Sequence, residues 1–74
     1  MIERLDKLIH AYSSMAKQRA TLVHDCGVAI CILGNYKRGY KDGIYNEARI
    51  EPYLDKAEKQ LVDWAREYTE RKKQ

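Results

Sequence analysis

The stretch LDKLIHAYSSMAKQRATLVHDCGVAICIL, residues 5–33, decides the fold. Written in heptads, its apolar side chains fall in groups: Leu5, Leu8 and Ile9; Tyr12, Met15 and Ala16; Leu22 and Val23; Cys26, Ala29 and Ile30; then Leu33. That recurrence is the face a helix turns toward a core. Only Arg19 interrupts it. The pattern predicts one helix over 2–33, whose striped part would span roughly 43 Å at about 1.5 Å per residue. Within it, Val28 to Leu33 is apolar on every side, and such a helix has to be covered on every side. A short buried strand after Gly27 is the alternative, because Val, Ile and Cys suit strands. The unbroken register favours the helix.

Gly34-Asn35 reads as the helix stop, since both residues tolerate a left-handed backbone. Residues 34–49 then form a connection, a β-ribbon or an irregular loop, with Asp42-Gly43 as its turn signal. A second helix is expected over 50–71, with Pro52 in its first turn. Its apolar face is Leu54, Ala57, Leu61, Trp64, Ala65 and Tyr68, with Ile50 and Tyr53 above it. Asp55–Lys59 and Glu67–Arg71 are supporting pairs four apart, and Arg71-Lys72-Lys73 places cations at the negative end of the dipole.

The expected fold is therefore all-α, a single domain over 1–74 shaped as an antiparallel helical hairpin. That order sets Leu22 opposite Leu61, Met15 opposite Tyr68 and Arg19 opposite Trp64. A chain of 74 residues buries little apolar surface on its own. Two hairpins facing each other would close a four-helix bundle. Self-association, a homodimer first, is thus expected, with Leu5, Ile9, Tyr12, Arg19, Leu22, Cys26, Ile30, Leu61 and Trp64 in the shared core. The outline is similar to the small hairpin dimers that bind RNA in plasmid copy-number control. That likeness is one of shape; no residue motif carries it.

Charge and cysteine usage narrow the function classes. The net charge of +3 comes mostly from residues 34–49, where Lys37, Arg38, Lys41 and Arg49 face Asp42 and Glu47. A dedicated duplex binder carries a stronger basic patch. Cys26 and Cys31 lie on different sides of one helical run and are not expected to bridge. Free thiols and no secretory pattern at Met1 point to the cytoplasm, and the longest apolar run is too short for a membrane span.

Arg19 in an apolar stripe must find an acid, a carbonyl or a ring, because an unpaired buried charge is costly. The expectation is that it lies over Trp64 or pairs with Glu58 or Asp63; lining a pocket for an anion is the alternative. His10, Lys17, His24 and Cys31 recur seven apart on the face opposite the core. Rungs so spaced stand about 10.5 Å apart, too far to share one metal ion. No phosphate loop, zinc-protease helix or paired acids occur, and thiols in an apolar helix are poor nucleophiles. No catalytic residue, metal or cofactor is expected.

The six tyrosines, with no phenylalanine, are a skewed choice. Tyr36, Tyr40 and Tyr45 alternate with Lys37, Arg38 and Lys41 in the connection. Tyrosine with arginine is the composition of protein hot spots and equally of surfaces that stack bases. These six residues, with the neighbouring apolar Ile32 and Ile44, are the candidate partner-binding site, unless the rings merely cover the end of the bundle. The expected function is a non-enzymatic protein–protein interaction module, a small inhibitor, adaptor or regulator of the kind phages and plasmids encode. Binding of nucleic acid or an anionic nucleotide through the same residues is the alternative.

Overall fold

The computed structural model describes residues 1–72, the side chains of 70–72 excepted. Helix α1 spans Ile2–Gln18, a single 3-10 turn spans Ala20–Leu22, α2 spans Val23–Lys41 and α3 spans Glu47–Lys72. No strand occurs among the described residues. The protein is all-α, and Val28 to Leu33 is helical rather than extended.

The expected continuous helix over 2–33 is broken at Arg19. Its backbone is extended (φ −133°, ψ 98°), while its amide still donates to the Met15 carbonyl at 2.9 Å. The 3-10 turn then reverses the chain, and Lys37 Nζ of α2 comes back to Asp6 Oδ1 of α1 at 2.7 Å. The reason is burial. A straight helix would leave the stripe wet, whereas bending at its one polar position folds the stripe against itself. Leu5, Leu8 and Tyr12 then face Cys26, Ala29 and Leu33, all six of them buried. Each side chain of leucine size gains about 1.5–3 kcal/mol in this way, more than a few helical hydrogen bonds lost at the bend.

The expected connection over 34–49 is mostly helix. Gly34 sits inside α2, which continues to Lys41. Asp42-Gly43 does mark a turn, but between two helices. Gly43 is left-handed (φ +77°), its amide donates to the Tyr40 carbonyl at 3.2 Å and that of Ile44 to Gly39 at 2.8 Å. This paired closure satisfies carbonyls that the helix end leaves open. Asn46 then starts α3, its Oδ1 accepting the Arg49 amide at 3.0 Å. The last helix accordingly begins at Glu47 rather than 50, with Pro52 inside it.

α3 runs parallel to α1, not antiparallel as a two-helix hairpin requires. Arg4 pairs with Asp55 and Glu58, both at 2.7 Å, and Arg19 at the other end of α1 reaches Trp64. Of the expected cross-helix pairs, Arg19 with Trp64 is brought together. Ile50, Leu54 and Ala57 of α3 complete the core. Because α3 is long, the molecule measures 48 × 19 × 16 Å. The Arg71 side chain, and Lys73 with Gln74, lie outside the described residues, and with them the Glu67–Arg71 pair and the cationic end. No helix among the described residues is long and apolar enough to cross a membrane.

Gly39 is buried under the ring of Tyr45, and a Cβ added there would overlap Tyr45 Cδ2 and Cε2. Gly34, in the same helix, has open space where its Cβ would be. Alanine should therefore act in opposite directions at the two positions. Urea unfolding of Gly39→Ala should show a loss of about 1–3 kcal/mol through overpacking. Gly34→Ala should gain about 1 kcal/mol from helix propensity.

Candidate functional site

The six residues expected to meet a partner occupy the corner between α2 and α3, and most are already engaged. The Tyr36 ring packs edge-on against Tyr45 (centroids 5.4 Å apart, 70°) and tilted against Tyr53 (5.5 Å, 46°). Tyr45 covers Gly39 on one side, and the Arg49 guanidinium carbon lies 5.3 Å from its ring centroid. The Tyr40 hydroxyl donates to Glu47 Oε1 at 3.3 Å, and the negative charge of Glu47, then burial, raises its pKa. Lys37 is held by Asp6. Arg38 and Lys41 remain exposed, and neither takes part in an ion pair among the described residues. Beside them in the chain, Ile44 is 69% exposed.

The residues expected to form a core shared between chains lie within one. Leu5, Tyr12 and Cys26 are buried, and Ile9, Leu22, Ile30, Leu61 and Trp64 are half-buried against them. The bend at Arg19 and the return of α3 cover these residues in part within a single chain. Arg19 itself neither pairs with Glu58 or Asp63 nor lies over the indole. Its Nη1 donates to the Trp64 main-chain carbonyl at 3.1 Å.

Tyr12 is the polar centre of this core. Its hydroxyl donates to Gln60 Oε1 at 2.9 Å, with the Ala57 carbonyl at 3.2 Å as the competing acceptor for its one proton. Its ring meets Trp64 edge-on, centroids 5.9 Å apart. Burial, with smaller contributions from Tyr53 and Cys26, pushes its pKa up to about 12. Burial, followed by Tyr36, also raises Tyr53.

The four-residue line of His10, Lys17, His24 and Cys31 is divided by the bend, two on α1 and two on α2, and all four are exposed. Among the described residues no three His, Cys, Asp or Glu side chains gather to hold a metal ion. Burial first and Asp25 second raise the Cys26 thiol, which keeps it protonated and a weak nucleophile. A shallow cleft between α2 and α3 is lined by Tyr12, Ala29, Tyr53 and Ala57, with Asp25 and Lys56 also on its walls. Its central hydroxyl is already committed to Gln60.

The outward face of α2 is what reading the connection as a site overlooked. His24, Gly27, Val28, Cys31 and Asn35 are all exposed, and no charged residue occurs from Cys26 to Tyr36. Val23, His24, Gly27, Val28, Cys31 and Ile32 line one shallow apolar depression there. The signal was in the sequence: a run apolar on every side is here covered on one side only.

Comparison with protein-family models, curated proteins and solved structures finds no match.

Raising the pH tests the Tyr12 environment. The folded chain keeps that proton to about pH 12, whereas the unfolded chain releases it near 10. Over that interval the unfolded state binds fewer protons, so stability falls as pH rises. Denaturant midpoints followed with tyrosinate absorbance should show this decline, and Tyr12→Phe should remove its largest part. At neutral pH the same change should cost about 1 kcal/mol for the lost hydrogen bond.

Proposed function

We propose that this chain is a non-enzymatic protein–protein interaction module, a small adaptor, inhibitor or regulator that meets its target at the corner between α2 and α3. The observation that carries the reading is Ile44, the most exposed large apolar side chain at 69%, next to the exposed cations Arg38 and Lys41. An apolar anchor beside unpaired guanidinium and ammonium groups has the anatomy of a protein hot spot. The framework behind it is rigid, because the closure at Gly43 and the Tyr45 ring on Gly39 pin the corner. A presented side chain on a fixed frame binds with little ordering cost.

Nucleic-acid binding draws on the same two cations and is the second reading. It is disfavoured because stacking needs free ring faces. Tyr36, Tyr45 and Tyr53 lie against one another, Arg49 takes up Tyr45, and Lys37 is neutralised by Asp6.

The immobilised chain should retain a protein target after nuclease treatment, and Ile44→Asp combined with Arg38→Glu should lose it with helical circular dichroism unchanged. Retention of nucleic acid alone, released steeply by added salt, would replace this proposal with the second reading.

A further inference from the structure

We propose that the uncharged outward face of α2 is a self-association surface, packing against the same face of a second copy about a two-fold axis near Cys31. The inference rests on reading the chain as one that acts by contact, but it uses a different surface from the Ile44 corner. A helix with apolar residues on all sides belongs in the middle of an assembly. The middle of α2, between the exposed Asp25 and Arg38, fits that description, since Cys26, Ala29 and Leu33 are buried inward while Val28 is 47% exposed outward. The other two helices do not fit it. The exposed faces of α1 and α3 carry Lys7, Lys17, Asp55, Lys59, Asp63 and Arg66. Joining two copies through α2 would place both α2 helices at the centre and leave the charged helices outside.

Charge identifies the occupant. A partner of opposite sign has nothing to recognise between Cys26 and Tyr36. A second neutral helix face matches it, and α2 of another copy is one. With a net charge of +3 per chain, repulsion between copies is modest. Gly27, with no atom within 4 Å of the place a Cβ would take, allows the helix axes to approach closely. The available size sets the strength. The outward face from Val23 to Asn35 spans about 20 Å, and a width of roughly 10 Å gives on the order of 400 Å² for the two copies. That is below the roughly 1,200 Å² of a standard interface, so pairing must be weak and concentration-dependent.

Sedimentation equilibrium of the full reduced chain over a concentration series tests this. The mass should climb from 8.7 kDa toward twice that value. Val28→Lys, and independently Asn35→Lys, should move the transition to at least about tenfold higher concentration, with helix content retained. A short bismaleimide should link copies through Cys31, and Cys31→Ser should abolish the link because Cys26 is buried. Ile44→Asp should dimerise as the parent does. A parent that stays at one-chain mass throughout, or a dimer indifferent to both lysines, overturns the inference. If that parent still loses a protein target on Ile44→Asp, the corner reading survives; if Ile44→Asp alone removes the dimer, the self-contact lies at the corner and the inference falls.

Discussion

The fold depends on where the apolar stripe is allowed to bend. Arg19 is the one charged residue among positions that otherwise face a core, and the backbone leaves the helix there. Bending at any neighbouring apolar position would expose side chains that the core needs. Bending at Arg19 removes a guanidinium from the stripe and brings Leu5, Leu8 and Tyr12 onto Cys26, Ala29 and Leu33. The guanidinium then serves α3 by bonding to the Trp64 carbonyl. The ion pairs of Arg4 with Asp55 and Glu58 and of Lys37 with Asp6 lie at the surface, where solvent screens them, so they mark helix direction more than they supply stability.

The polar content of the core is concentrated in tyrosine. No buried side-chain nitrogen or oxygen among the described residues lacks a partner. Tyr12 satisfies its hydroxyl on α3, so the same side chain that fills the space between α1 and α2 also fixes the height of α3. Tyr36, Tyr45 and Tyr53 do similar work at the other end through ring contacts. The preference for tyrosine over phenylalanine has a structural use at Tyr12 and Tyr40, whose hydroxyls bond Gln60 and Glu47.

The all-α class and much of the core were legible in the sequence. The apolar periods identified Cys26, Ala29, Leu33, Leu54 and Ala57 as inward residues, Arg19 as the irregular position and Asp42-Gly43 as a turn. The bend itself was not legible, because a stripe folded against itself keeps its phase on both sides of the fold. Gly34 read as a stop because it tolerates a left-handed backbone, yet its cost inside a helix is only about 1 kcal/mol, and burial of Leu33 outweighs it. Asn46 was hidden as a cap by Pro52, a stronger start signal a few residues on. At the candidate site, residue type alone could not say whether Tyr36 and Tyr45 offer their faces outward or to each other.

The seat of Tyr45 on Gly39 has a mechanical consequence. An elbow made of a glycine turn would ordinarily act as a free joint, letting the long final helix swing. Here a ring wedged against bare backbone works as a doorstop, and any opening of the elbow must first lift that ring off its rest. Lifting that ring would loosen the elbow alone, because the Tyr12 and Arg19 bonds and the buried Ile50, Leu54 and Ala57 still hold the outer rod along its length.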